Sequence, residues 1–319
     1  MLSRSRFSHL LAVRGILITS PVLSSVFQQA GLPPGVMNII FGDGPTTGAA
    51  LVSHPLVNGV SFTGGTATGI AIRRATAHQI GKHLSLELGG KNPTLVFADA
   101  MQQGSRERTI RIAASAAFEN QGEICLCGSR IYVEEEVYAE FVDEFVRYVQ
   151  DKYVVGKTVG AVASLQHYGK IQGYLDLARR EGTTFRLGGV PPVLSSAADG
   201  GYWIHPTVLT DVGADSVLLK DEIFGPVVTI VPFVGETEAI RLANDSEYGL
   251  AAVVLTADGG RIRRVGEQIE AGLVWVNCWL VRELGTPFGG MKNSGTGREG
   301  GEFSRDVFTV ARTLHIADV

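Results

Sequence analysis

Twice within the first eighty residues a short apolar strand runs into a glycine turn that opens a helix. Val36-Met37-Asn38-Ile39-Ile40-Phe41 leads into Gly42-Asp43-Gly44-Pro45-Thr46-Thr47-Gly48 and then Ala49-Ala50-Leu51-Val52. Val60-Ser61-Phe62 leads into Thr63-Gly64-Gly65-Thr66-Ala67-Thr68-Gly69, with Ile70 to Ile80 reading as helix. This alternation predicts βαβ units, a parallel sheet and the α/β class. Glycines in such turns leave backbone N–H groups open at the positive end of the next helix, where a pyrophosphate can bind. They also serve packing, and Gly42-x-Gly44-x-x-x-Gly48 is not the six-residue dinucleotide fingerprint, so both uses stay open at this point.

The 319 residues, 45% hydrophobic and 19% charged, suffice for a large core and two domains. Forty glycines and few aromatics suit an α/β enzyme better than a helical bundle. A net charge of -4 without a basic stripe argues against nucleic acid, and no apolar run is long enough to span a bilayer. Three cysteines, an odd number, fit a reducing compartment rather than a disulfide framework. Cys125 and Cys127 have no second pair at ligand spacing and Cys278 stands alone, so no metal site is expected. Met1 to Gly42 lacks Asp and Glu but holds Arg4, Arg6 and Arg14. That is the composition of a mitochondrial transit peptide.

Further along, Ser20 to Ala30 reads as a helix stopped by Gly31-Leu32-Pro33-Pro34-Gly35. Thr94 to Phe97 reads as a strand, Arg106 to Phe118 as a helix and Ile131 to Val133 as a strand. Glu134-Glu135-Glu136 opens a helix whose apolar face is Val137, Phe141, Phe145 and Val149. Gly188 to Gly201 reads as a loop. Tyr202 to Leu209, Val227 to Val234, Leu250 to Thr256 and Gly272 to Asn277 read as strands, with Glu238 to Asn244 helical. These elements suggest a second α/β unit. A lone strand over Val310 to Ile316 needs an edge to pair with, such as another subunit offers.

Two stretches carry chemistry. Phe118-Glu119-Asn120-Gln121-Gly122-Glu123-Ile124-Cys125-Leu126-Cys127 places a thiol on a loop after an alanine-rich helix, where it can be exposed and reactive. The alternative is that both cysteines are small buried hydrophobes. In Leu86-Glu87-Leu88-Gly89-Gly90-Lys91-Asn92-Pro93 a carboxylate sits in an apolar frame, which raises its pKa and suits a general base. The alternative there is an edge-strand glutamate facing solvent.

The Phe-Thr-Gly turn, the Glu-Leu-Gly-Gly-Lys element and the Asn-Gln-Gly-x-x-Cys loop occur in that order, with Cys125 placed 38 residues after Glu87 (125 − 87). Glu222-Ile223-Phe224-Gly225-Pro226 and Pro287-Phe288-Gly289-Gly290 follow. Together they resemble the NAD(P)-dependent aldehyde dehydrogenase superfamily from about Gly31 onward. Asn120 to Cys127 and Asn277 to Leu284 resemble its 2-aminomuconate/2-hydroxymuconate semialdehyde dehydrogenase branch. The resemblance implies a fold with an incomplete Rossmann-type nucleotide-binding domain over residues 1–90 and an α/β catalytic domain over 91–290. It also implies a C-terminal segment, 291–319, with an oligomerisation strand. It makes Cys125 the nucleophile and Glu87 the base that activates water. Phe62, Thr63, Gly64 and Gly65 match the turn near the pyrophosphate, Glu222 the nicotinamide-ribose ligand, and Phe224 a residue packing near the nicotinamide. Arg282 is the candidate grip for a substrate carboxylate, bidentate guanidinium to carboxylate, with a surface salt bridge as the alternative. The implied cofactor is NAD, with NADP left open. The substrate is a small aldehyde, the assembly a homo-oligomer and the compartment cytoplasmic, a mitochondrial leader being the alternative.

The sequence also departs from the family. Its Pro-Trp-Asn stretch, which completes the oxyanion hole, and its Lys-Pro-Ser-Glu element, which holds the adenosine ribose, have no match here. Gly65 stands where a serine is usual, and Val155 to Gly160 is short. These departures lead to the expectation of an N-terminally truncated chain, with a non-catalytic subunit-like or binding module as the rival function.

Overall fold

A computed structural model of the chain describes residues 9–13, 20–190 and 201–317. The residues divide into two units, Met1–Ser61 with Ala67–Leu84, and Phe62–Thr66 with Ser85–Val319. In the first unit β1 (His9–Val13) pairs in parallel with β2 (Met37–Phe41), and α1 (Ser20–Gln29) lies in the connection. This βαβ unit precedes the glycine turns and its β1 carries no sequence signal, whereas the two strands that run into those turns, Met37–Phe41 and Gly59–Thr63, lie in different sheets rather than in one parallel βαβ unit. Next come α2 (Ala49–Ser53), β3 (Gly59–Thr63), α3 (Thr66–Thr76) and β4 (His83–Glu87). Between Val22 and Thr68 none of the described residues is buried; Ile72 and Thr76 on α3 are. The helix expected to reach Ile80 ends at Thr76. There the Thr76 hydroxyl bonds back to Ile72 O and Gln79 N turns onto Thr76 O.

The second unit contains β5 (Pro93–Val96), α4 (Arg106–Phe118), β6 (Arg130–Glu134), α5 (Tyr138–Lys152), α6 (Leu165–Arg180), β7 (Thr184–Leu187) and β8 (Thr207–Thr210). After these come β9 (Val227–Phe233), α7 (Gly235–Asn244), β10 (Tyr248–Gly249), β11 (Ala251–Leu255), α8 (Gly259–Gly266) and β12 (Leu273–Val276). The hairpin-like pieces β13 (Met291–Lys292) and β14 (Gly295–Thr296) precede α9 (Gly301–Phe308). Apart from β10, which pairs with β13, the strands over 93–276 form one seven-stranded sheet in the order β12-β11-β5-β6-β9-β8-β7, parallel except for the edge strand β7, so the strands after residue 201 share a sheet with β5 and β6.

A parallel sheet must bury both faces, and here alternate residues serve opposite cores. Val96, Ile131, Val133, Val253 and Leu255 pack with Ala113 and Ala117 of α4 and with Phe141 and Phe145 of α5. Their neighbours Leu95, Tyr132, Ala252 and Val254 pack with Ala239 of α7 and Val265 of α8. At about 25 cal/mol per Å² of apolar surface, this double burial is the main stabilising term.

Some elements differ from expectation. The strand anticipated over Tyr202–Leu209 begins only at Thr207, because Pro206 has no N–H for the ladder. Glu134 ends β6, and Glu135–Val137 forms a 3₁₀ turn before α5 begins. The loop at Gly188–Gly201 falls largely on residues 191–200, outside the described residues, as does much of the basic N-terminal stretch. Residues 309–317 carry no strand, and Val310, Leu314 and Ile316 are exposed. The strand expected there has no partner edge among the described residues. Among the described residues no helix is long and apolar enough to cross a membrane.

Candidate active site

Gly89–Asn92 leads into β5, Cys125–Ser129 into β6 and Glu222–Pro226 into β9, and these three strands are neighbours in the sheet. Residues far apart in sequence therefore meet at the N-terminal ends of three parallel strands. The common site in open α/β sheets is at the carboxyl ends.

The cysteine loop is shaped by its backbone. After α4, Asn120 (φ 49), Gln121 (φ 47) and Gly122 (φ 72) reverse the chain through left-handed conformations. Asn92 then holds two of the loop's carbonyls, its Nδ2 donating to Cys125 O (2.8 Å) and Cys127 O (2.9 Å). Its Oδ1 accepts from Ala251 N, so both donors and the oxygen of the amide are engaged. Trp279 Nε1 donates to Leu126 O, which ties the segment after β12 to the same loop. Cys125 is half-buried rather than exposed, and Cys127 is buried. Burial pushes the Cys125 thiol up to about 11, and the charges of Glu222 and Glu87 add to this. Its own backbone N–H and Arg282 act the other way. A thiol so placed is almost wholly protonated at neutral pH and needs a base to react.

Glu87 ends β4 and is buried, not solvent-facing. Neither carboxyl oxygen has a hydrogen-bond partner among the described residues. Burial lifts it to about 7, helped by Glu299 and opposed by Arg298 and Arg282. The Phe62–Gly65 turn lies against its backbone, with Gly64 N donating to Glu87 O at 3.0 Å.

Glu222 is held at Oε1 by Gly90 N (2.8 Å). Burial raises its carboxyl, while the Gly90 N–H, Lys170, Lys91 and His167 oppose the rise. The two glycines after Leu88 are required sterically. A Cβ on Gly89 would stand 2.5 Å from Glu222 Oε2, and one on Gly90 would stand 2.6 Å from Cys125 O. Phe224 adopts φ +58, and its carbonyl accepts from His167 on α6. Lys91, fully buried, has no hydrogen-bond partner for Nζ among the described residues. Burial and then Arg130 pull its ammonium down to about 7.

Arg282 is exposed, with its guanidinium 4.3 Å from the Phe288 ring centroid. Both line a cavity of about 350 Å³, together with Glu283, Thr286, Glu299 and Ser304. Cys125, Glu87, Glu222, Phe224 and the Phe62–Gly65 turn thus gather around the strand ends, and Arg282 acts electrostatically on both Cys125 and Glu87. Sequence reasoning missed Asn92, His167 and Lys170. Asn92 sits inside a motif already singled out, whereas nothing local marks the other two.

Residues 16–314 match the model of the aldehyde dehydrogenase family. The chain belongs to the aldehyde dehydrogenase family. It is 45% identical over 307 residues to a 2-aminomuconic semialdehyde dehydrogenase of Homo sapiens, covering 94% of this chain and 62% of that one. It is 41% identical over 304 residues to a 2-hydroxymuconic semialdehyde dehydrogenase of Pseudomonas sp. (strain CF600), covering 93% and 61%. Among solved aldehyde dehydrogenases, betaine aldehyde dehydrogenase from Staphylococcus aureus in complex with NAD+ superposes with a TM-score of 0.86. That structure is 35% identical, with 92% of this chain and 58% of that chain covered. An NAD+ complex of an aldehyde dehydrogenase from Bacillus cereus gives 0.85 at 36% identity, covering 92% and 59%. The chain therefore spans about three fifths of the length of the relatives it matches.

Proposed function

We propose that the chain oxidises an aldehyde to the carboxylic acid with NAD, through Cys125 as nucleophile and Glu87 as base. The observation that carries this reading is that Gly90 joins the Glu222 carboxylate to the Cys125 backbone, while Glu87 at the end of β4 and Glu222 both act electrostatically on the Cys125 thiol. Part of the site fits such a cofactor. Glu222 Oε2 has no donor among the described residues and suits a ribose hydroxyl, and Gly65 leaves open space for close backbone approach. NAD, when bound, supplies the hydride acceptor. Glu87, titrating near neutrality, takes the Cys125 proton as the sulfur attacks the aldehyde carbon to give a thiohemiacetal. The Cys125 backbone N–H, which faces its own thiol, serves in this reading as a donor to the developing oxyanion. Loss of hydride leaves a thioester on Cys125; Glu87 passes the thiol proton to solvent and, again a carboxylate, deprotonates the water that hydrolyses the thioester, with the Cys125 thiolate as leaving group.

The substrate class follows from Arg282. A guanidinium stacked on Phe288 at the cavity that both line, and acting electrostatically on Glu87 and Cys125, suits an aldehyde that also carries a carboxylate. The named substrates of the semialdehyde dehydrogenase relatives agree with this class. The exposed apolar residues Phe308, Val310, Leu314 and Ile316 favour assembly as a homo-oligomer.

NADH formation by the purified chain tests the proposal. Turnover with wild type and none with Cys125→Ala is expected. A folded wild type that forms no NADH with any aldehyde would sink it and favour a non-catalytic role. In the same assay Arg282→Ala should weaken kcat/KM for carboxylated aldehydes about tenfold or more while sparing neutral ones. Equal loss on both kinds of aldehyde removes the carboxylate role.

A further inference from the structure

The first turn of α6 touches the candidate site at three points. His167 Nε2 lies 2.5 Å from Phe224 O and 3.3 Å from Glu123 Oε1, and its ring meets the Phe224 ring edge-on. The Phe224 carbonyl can only accept, so Nε2 is assigned as the protonated ring nitrogen. Glu123, two residues before Cys125, is further held by Ala163 N (3.2 Å) and Gln121 Nε2 (2.9 Å). Ser164 caps α6 by accepting from His167 N, and one turn on Lys170 Nζ donates to Glu222 O (2.8 Å). One helical turn thus grips the cysteine loop and the backbone of the Glu222–Pro226 loop.

The grip acts on strained chain. Asn120, Gln121 and Phe224 all have positive φ, a conformation that costs a non-glycine residue energy and persists only where surroundings impose it. There is also no slack between the loops. A Cβ on Gly122 would stand 2.2 Å from Gly225 O, so the two backbones abut and a shift in one moves the other.

We infer that His167 is a positioning residue that bridges Phe224 O to Glu123 and so locks the Glu222–Pro226 loop against the Cys125 loop. It touches no reacting atom. Its effect is to fix the ribose- and nicotinamide-facing side of the site relative to the thiol, and in that respect the inference rests on the roles proposed above.

The test compares His167→Gln, whose amide Nε2 can still reach Phe224 O, with His167→Asn, which has the same chemistry but is too short. The rate of Cys125 alkylation by iodoacetamide, assigned by mass spectrometry against Cys125→Ala, is read in the full chain alongside the unfolding midpoint. His167→Asn is expected to alkylate about fivefold faster, because a released loop exposes the thiol, with His167→Gln within about twofold of wild type. Glu123→Gln weakens the same bridge from the loop side and is expected to behave as His167→Asn does. Wild-type alkylation rates in both His167→Asn and Glu123→Gln overturn the inference. So does an equal change in the Asn and Gln variants of His167, which would mark mere packing. With NAD and saturating aldehyde, His167→Asn should lower kcat several-fold and leave the aldehyde KM unchanged. A wild type that forms no NADH defeats the function proposed above, while the alkylation series still decides the role of His167.

Discussion

Burial lifts the Glu87 carboxyl from 4.5 to about 7. Between those values the folded chain holds a proton that the unfolded chain has released. The folded state is therefore favoured below pH 4.5 relative to its behaviour above, and this contribution is lost as pH rises to about 7. The gap corresponds to about 3 kcal/mol at full effect. Glu87→Gln removes the charge but keeps the shape, so it should be more stable than wild type at pH 8, by about 2 kcal/mol. The two should be nearly equal at pH 4.5. Denaturant unfolding at both pH values checks this, and an advantage that grows as pH falls would reverse the sign and defeat the argument. The same variant lacks the base for both the Cys125 thiol and the hydrolytic water, so NADH formation should fall from the first turnover onward. The stability cost and the catalytic use have one cause, a carboxylate with no hydrogen bond from the described residues.

At the level of elements, the site is a set of backbone seams between strand leaders. Gly90 lies where any side chain would press on Cys125 O, which is backbone and cannot swing aside. Gly90→Ala should therefore push the cysteine loop out of register, costing about 2 kcal/mol of stability and about a hundredfold in kcat. Unfolding curves and steady-state rates measure both, and a variant equal to wild type would show that the seam has slack. The glycine pair was visible in the sequence, but its reason was not, because the atoms it faces belong to residues 125 and 222. The helix over Arg106–Phe118 was legible with its correct limits, since a buried face runs from Ile110 through Ala113, Ala114 and Ala117 to Phe118. By contrast α6, with Ile171, Leu175 and Ala178 as its buried face, was passed over among its tyrosines, glutamine and glycines. With it went His167 and Lys170. Pairing was the least legible feature. β11 lies beside β5 although more than 150 residues separate them, so strands read as a second unit belong to one sheet.

At the scale of the whole molecule, burial is distributed very unevenly. In the unit built on Ser85–Val319, β5 and β11 are buried throughout, and the apolar clusters on the two sheet faces belong to it. In the unit built on Met1–Ser61 and Ala67–Leu84, the described residues from Val22 to Ser61 include none that is buried, and Val22, Val26 and Leu56 are largely exposed. Backbone hydrogen bonds there, such as those of β2, have little apolar cover to resist local opening. Amide protection follows the free energy of the opening that exposes each N–H. Hydrogen exchange should therefore separate the chain into two classes. Amides of β5, β6 and β11 should exchange only through global unfolding, and those of Met37–Phe41 at least about a hundredfold faster. Peptide-resolved exchange followed by mass spectrometry reads the two classes directly. Equal protection in β2 and β5 would mean that the first unit gains cover that these residues do not supply themselves, such as a second copy of the chain. Raising protein concentration would then slow exchange in β2 alone, whereas concentration-independent rates would place the protection within one chain.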